Sequence, residues 1–274
     1  MLRAWLGEAV ACHRGRHGLT RPQLRPVSAA SPPTGGYSPG GADSRKHAGP
    51  GERDRIVNYQ RLYQYRFRDV DQRRRTETWA ALAPMLHEAL GRPERVLDPA
   101  AGHCEFITAV PAAERWAVDA VEYDEGVASQ GLRLIVSEIM AAELPRGYFG
   151  GVFVSNFLEH LPSQEAVASF LDKMFECLAP GGRIAVMGPN FRYTARQYFD
   201  FADHTVILTE RGVAEHLYAA GFTILRVHPR FVPYSFTGRL PSSALLVRIY
   251  LRFPLAWRLL GKQFLVIAER PVAA

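Results

Sequence analysis

From residue 95 to residue 268 the chain alternates short apolar runs with stretches of helical periodicity, and no other feature constrains its fold as strongly. The runs Arg95–Asp98, Trp116–Asp119, Leu132–Val136, Gly151–Ser155, Arg183–Met187, Thr223–His228 and Gln263–Ala268 are of strand length and apolar. Helical stretches lie between most of them, notably Glu165–Leu178 and Glu210–Ala220. Strands that alternate with helices predict an α/β fold, a mainly parallel sheet with helices on both faces. The last two strands have no clear crossover helix between them, so the parallel pattern should break there. There is no internal repeat.

Upstream the sequence changes character. Residues 1–54 lack apolar periodicity, and 27–51 are rich in Ser, Pro and Gly. Such a segment buries too little apolar surface to offset the entropy of ordering, so a disordered basic tail is expected. Residues 1–55 hold nine Lys/Arg and four Asp/Glu, a charge of +5; the remaining 24 basic and 23 acidic residues leave 56–274 at +1. A nearly neutral body without clustered Lys/Arg argues against nucleic acid as a partner. The start MLRAWLGEAVACHRGRHG has the arginines of a targeting segment but no adequate apolar core for an export signal. Residues 55–92 are expected to form a helical lid or packing layer at the head of a domain spanning 55–274. Tyr59, Tyr63 and Phe67 recur every four residues, and Thr76 or Thr78 is placed to cap a helix through Trp79, Leu82, Leu86 and Leu90 that ends at Gly91 and Pro93. Cys12, Cys104 and Cys177 are odd in number and lack ligand spacing, which points to a reducing, cytoplasmic compartment and no metal site. No apolar stretch of about 18 residues is free of charge, so no transmembrane helix is expected.

Within the alternating region, residues 95–106 (RVLDPAAGHCEF) read as a buried strand ending on Asp98, a turn of small residues, and a helix beginning near Cys104. Ligands of open α/β sheets bind at the carboxyl ends of strands near the switch point. Small residues there let the backbone approach a ligand, and an acid orders the loop or receives a cationic group. The loop lacks the G-x-G-x-x-G spacing that holds a pyrophosphate in dinucleotide oxidoreductases. Downstream, Asp119 closes the second strand 21 residues after Asp98. Glu138 follows the third strand, SNFLEHL (155–161) ends the fourth, and LAPGG (178–182), with its strong Pro-Gly turn signal, leads into the fifth.

These five elements, in this order, resemble class I S-adenosylmethionine-dependent methyltransferases, the broad group that includes ubiquinone-biosynthesis and other small-molecule methyltransferases. The resemblance implies a Rossmann-like seven-stranded sheet with its last strand antiparallel, and S-adenosylmethionine as cofactor. The family's first motif is roughly D-x-G-x-G-x-G; Asp98 and Gly102 match it, while Ala100 and Cys104 stand at the first and third glycines. Asp98, Ala100, Ala101 and Gly102 would line the cofactor. Asp119 would take the ribose hydroxyls, with Glu122 as runner-up. The resemblance also sets Glu138 near the adenine amino group, Asn156 towards the methionine moiety, and His160 in a mainly structural role.

Methyl transfer is chiefly a matter of alignment, but a hydroxyl acceptor also has to lose its proton to a base within hydrogen-bond reach. Residues 188–204 (GPNFRYTARQYFDFADH) follow the fifth strand, where related enzymes build the acceptor pocket. Asn190, Tyr193 and Tyr198 are the expected substrate-binding residues. His204 is the candidate base, oriented by Asp203, or else a structural histidine. The segment 235–261 joins the last two strands. Its Leu245, Ile249, Phe253 and Trp257 recur every four residues beside Arg248 and Arg252, which suits a cap over the pocket or a peripheral membrane contact through 244–260. The expected function is methyl transfer to a small-molecule, glycan or lipid-linked acceptor, at oxygen. The alternatives are a non-catalytic cofactor- or partner-binding module, prompted by Ala100 and Cys104, and an RNA methyltransferase that uses the basic tail. The D/N-P-P-Y/F motif of many base amino-methyltransferases is missing, since GPNF (188–191) follows the wrong strand.

Overall fold

Strands β1 (Arg95–Asp98), β2 (Glu114–Asp119), β3 (Leu132–Val136), β4 (Phe149–Ser155), β5 (Leu178–Pro189), β6 (Thr223–His228) and β7 (Gln263–Glu269) form one sheet in the order β3-β2-β1-β4-β5-β7-β6. This computed structural model describes residues 59–68, 71–121, 131–234 and 244–272, all within a unit spanning Ile56–Ala274. The expected tail 1–54, Glu122, residues 235–243 of the insert and the side chains of Tyr59, Tyr63 and Phe67 lie outside the described residues.

Neighbouring strands are parallel from β3 through to β5. β7 runs antiparallel to both β5 and β6, so the parallel pattern breaks at the last strand as expected, although two helices, unforeseen in the sequence, lie between β6 and β7. The central strands are buried on both faces, which is why they read as continuous apolar runs. Their side chains alternate between two cores. Leu97, Val118, Val152, Val186 and Val266 face one; Val96, Ala117, Phe153, Ala185 and Leu265 face the other.

The first core is covered by α4 (Gln164–Cys177) and α6 (Glu210–Ala219). Ser163 and Thr209 cap these helices, accepting from the amides of Ala166 and Gly212 at 3.2 Å each. The second core is covered by α2 (Gln72–Ala89), α3 (Glu105–Ala109), α7 (Ala244–Arg252) and α8 (Pro254–Leu260). The cap of α2 differs from the sequence expectation. Asp71 supplies it, accepting from Arg73 N at 3.0 Å and Arg74 N at 3.2 Å. Thr76 and Thr78 sit a turn inside the helix, and their hydroxyls donate to the carbonyls of Gln72 and Arg74. A threonine there bonds its own helix, so Asp71 was free to begin it. The PGG turn before β5 also has a steric cause. Gly181 takes φ +78, and a Cβ on Gly182 would lie 2.8 Å from the Ala179 carbonyl.

Candidate active site

The strand order puts β1 between β2 and β4, so their carboxyl ends meet at the switch point of the sheet. Asp98 ends β1 with 3% of its surface exposed. Its Oδ1 has a long contact with the Ala100 amide, 3.4 Å. Burial pushes the carboxyl up to about 8, and the charges of Asp119 and Glu105 add to this. A buried acid with so little hydrogen bonding is stabilised by a cationic ligand. Beside it Gly102, at φ +52, has open space where a Cβ would stand. Asp119 ends β2 and braces the loop, its Oδ2 accepting from Gly102 N at 2.7 Å and its Oδ1 from Val121 N at 2.9 Å. Each oxygen retains a lone pair for a ligand hydroxyl.

Cys104 carries the backbone through the loop at φ 59, ψ 22, the left-handed region that favours glycine. Its side chain is buried. Ala100 is not among the positive-φ residues, so its position does not require glycine. Ala101 is buried and its amide bonds the Val118 carbonyl at 3.0 Å, tying the loop to β2. Glu138 lies exposed after β3, and the preceding Ser137 amide bonds the Asp119 carbonyl at 2.9 Å. Asn156 leaves β4 at φ 49 and donates to Ser155 Oγ at 3.1 Å. Asp98, Gly102, Asp119, Glu138 and Asn156 therefore share the carboxyl rim of β1 to β4.

The second half of the site lies past β4 and β5. A 3-10 turn, Leu158–His160, holds Glu159 and His160. Asp203 and His204 come from the loop after β5, Tyr234 from beyond β6, and Arg66 from α1 (Tyr59–Phe67). The expected pairing of Asp203 with His204 is corrected here. The Asp203 carboxylate accepts from the Arg66 guanidinium. His160 Nδ1 bonds the Asp203 carbonyl at 3.1 Å and stands at ion-pair distance, 3.2 Å, from its Oδ2. Neighbours in sequence point apart, and Asp203 orients a histidine 43 residues upstream.

The electrostatics follow the pairing. Burial raises Asp203, but hydrogen bonds from His160 and Arg66 outweigh it and hold the carboxyl well below the usual range. Burial lowers His160, but the Asp203 bond and the Glu159 charge outweigh it and lift the imidazole above its usual value. Burial raises Glu159, which lies 4.0 Å from His160 Nε2. His204 is packed between rings, stacked on Phe201 at 5.0 Å and edge-on to Tyr198 at 4.7 Å. Burial and the His160 charge push it down to about 4. Its Nδ1 and the Tyr234 hydroxyl are buried without a hydrogen-bond partner among the described residues. No metal site was expected from the cysteines, yet Glu159, His160 and His204 bring ligand atoms within 4.8 Å of one another. Two imidazoles and a carboxylate are a donor set of transition-metal type.

Two expected substrate residues are also corrected. Asn190 is fully buried and caps α5 (Phe191–Thr194); its amide donates to Glu210 Oε2 at 2.6 Å and Pro229 O at 2.9 Å, and its oxygen accepts from Arg192 N. That leaves no donor for a substrate. Tyr198 is fully buried, its hydroxyl donating to the Val206 carbonyl at 2.5 Å. Tyr193 is half-buried under the Arg230 guanidinium, 4.8 Å from its ring centre, and stays at the rim. Sequence reading missed Arg66 and Tyr234. Arg66 is one of many arginines in its region and carries no local signal.

A family model described as a methyltransferase domain matches residues 68–227. Among solved structures, the chain is similar to a SAM-dependent methyltransferase from Archaeoglobus fulgidus, at 20% identity over 77% of this chain and 100% of that one, with a TM-score of 0.55. It is similar to the 1,6-didemethyltoxoflavin-N1-methyltransferase of Burkholderia thailandensis, solved with 1,6-didemethyltoxoflavin and S-adenosylhomocysteine, at 20% identity over 84% and 93%, TM-score 0.52. It is similar also to the N-methyltransferase NodS of Bradyrhizobium japonicum in complex with S-adenosyl-L-homocysteine, at 15% identity over 78% and 98%, TM-score 0.52. These likenesses are of fold. No curated protein matches in sequence.

Proposed function

The chain belongs to the methyltransferase domain family, and on that premise we propose that it transfers a methyl group from S-adenosylmethionine to a hydroxyl of a small-molecule, glycan or lipid-linked acceptor. The cofactor supplies an electrophilic methyl group on a sulfonium. This chain's residues suit that ligand. Asp98 is a buried carboxyl with little hydrogen bonding, stabilised by positive charge. Asp119 presents both carboxylate oxygens to a vicinal diol. Gly102 leaves room for close approach.

The observation that carries the hydroxyl acceptor is the orientation of His160 by Asp203. With Nδ1 bonded to Asp203, Nε2 is left to take the proton of the acceptor hydroxyl as its oxygen becomes nucleophilic. Asp203, held by Arg66, stabilises the imidazolium that results. His204, low in pKa, stays neutral at physiological pH and shapes the apolar wall.

The reading is tested by kinetics across pH, with S-adenosylhomocysteine release as readout over a panel of hydroxyl acceptors. His160→Ala should lower turnover by about 10²–10⁴-fold with cofactor affinity unchanged. The wild-type rate should rise with pH along a limb above the ordinary imidazole range, because His160 must be neutral to accept a proton. His204→Ala should keep that limb. A limb that disappears with His204 and survives the loss of His160 would transfer the role. Insensitivity to chelators separates proton transfer to His160 from a divalent ion held by Glu159, His160 and His204. Failure to release product with intact cofactor binding would favour the non-catalytic module.

A further inference from the structure

Helices α7 and α8 turn Tyr250, Leu251 and Trp257 inward and leave a row of apolar side chains on the outside. Tyr250 donates to the Phe231 carbonyl at 2.5 Å. Trp257 donates to the Tyr250 carbonyl at 2.9 Å and stands edge-on to the Phe231 ring at 5.0 Å. These contacts, with Leu251 packed on the core, anchor both helices. The outer side carries Leu245, Ile249, Phe253, Leu255, Leu259 and Leu260, each 44–68% exposed. Single exposed apolar residues are ordinary on a folded surface. Six along two consecutive helices and the Phe253 that joins them, with Leu245, Ile249 and Phe253 four apart and Leu255 and Leu259 likewise, make a patch that calls for a partner.

Charge selects the partner. Arg248, Arg252 and Arg258 are exposed around the patch. From residue 216 to residue 268 the sequence has no Asp or Glu, against seven Lys and Arg. A second copy of the same face would set arginine against arginine. An anionic bilayer offers what this face lacks, apolar depth beneath fixed negative charge. No helix among the described residues is long and apolar enough to cross a membrane, so the contact lies on the surface.

The patch adjoins the reacting edge of the sheet. β7 begins at Gln263 opposite Pro189, the carboxyl end of β5. Lys262 Nζ donates to Gln197 Oε1 at 3.0 Å, tying the end of α8 to the acceptor loop. Arg230 donates to the carbonyls of Leu259 and Gly261 at 2.7 Å each while covering Tyr193. We infer that α7 and α8 form a docking surface that seats the carboxyl edge of the sheet on an anionic membrane. The inference stands on the surface alone and does not depend on the identity of the methyl acceptor.

Co-sedimentation of the full chain with large unilamellar vesicles tests it. Vesicles of phosphatidylcholine mixed with phosphatidylglycerol should carry the protein down, and phosphatidylcholine alone should carry far less. High salt should weaken the binding. The double variant Leu255→Ser with Leu259→Ser should abolish it at unchanged melting temperature, since both side chains are exposed. Arg252→Ala and Arg258→Ala should each weaken it about fivefold, the equivalent of about 1 kcal/mol per basic residue at an anionic surface. Absence of sedimentation with the mixed vesicles would overturn the inference. So would equal binding by the leucine variant. A dimer in sedimentation velocity that the leucine variant dissolves, with no vesicle binding, would assign the face to self-association instead.

Discussion

Asp98 and His160 show how burial and pairing set the charge of single residues in opposite ways. Asp98 lies buried with little to pair with, and its carboxyl is pushed from an ordinary 3.8 up to about 8. The unfolded chain therefore gives up this proton at lower pH than the folded chain. Its contribution to stability is full below about 4 and falls as pH rises towards about 8. Asp98→Asn should flatten that decline, as read by melting temperatures across the same window. S-adenosylmethionine affinity of the wild type should rise with pH over this range, because the ionised carboxylate is the form that receives positive charge. The variant should bind more weakly and without the pH dependence in calorimetry. A wild-type melting temperature that stays level from pH 4 to 8 would refute the burial argument. His160, by contrast, gains partners that outweigh its desolvation. The adjacent letters D-H in the sequence invited the pairing of Asp203 with His204, but loop geometry gives the carboxylate to another turn.

At the scale of elements, the loop between β1 and α3 explains how the chain departs from its family's glycines. Cys104 holds a left-handed conformation that costs a non-glycine residue about 1–2 kcal/mol. Its amide bonds the Ala101 carbonyl at 2.8 Å, and its carbonyl accepts from Thr108 N at 3.0 Å, fixing the turn into α3. The buried thiol offsets part of the strain by packing in the second core. Cys104→Gly exchanges strain relief for lost packing, and urea unfolding should show little net change. Cys104→Val puts a β-branched side chain at positive φ and should lose about 2 kcal/mol or more. If valine is tolerated as well as glycine, the loop does not hold this conformation in solution. The same scale accounts for α2, where Asp71 and not a threonine begins the helix.

Across the whole molecule, the two halves of the site depend on different parts of the N-terminal region. Arg75 of α2 donates to Glu105 Oε2 at 3.2 Å, bracing the start of α3 after the β1 loop. Arg66 of α1 binds Asp203, in the loop after β5. Removing residues 1–54 should leave melting temperature and cofactor affinity unchanged, because that segment lacks apolar periodicity. Removing residues 1–70 should keep α2 with its Asp71 cap and leave cofactor affinity nearly intact, yet lower turnover by freeing Asp203 from Arg66. Calorimetry and kinetics on both shortened chains separate the two effects. A parallel loss of affinity and turnover in the second chain would place α1 in the cofactor site.

What the sequence by itself determined is the sheet and the acids on its carboxyl edge. Seven apolar runs became seven strands, and the acids Asp98 and Asp119 fell at strand ends, because strand period, turn chemistry and loop composition are local properties of the chain. The tertiary structure alone decided the pairings past β4 and β5. Asp203 pairs with Arg66, 137 residues away, and with His160. Asn190 spends its amide on Glu210 and Pro229, and Tyr198 turns inward to Val206. In an irregular loop no periodicity fixes which way a side chain points; packing against distant elements and the need to satisfy buried polar groups fix it.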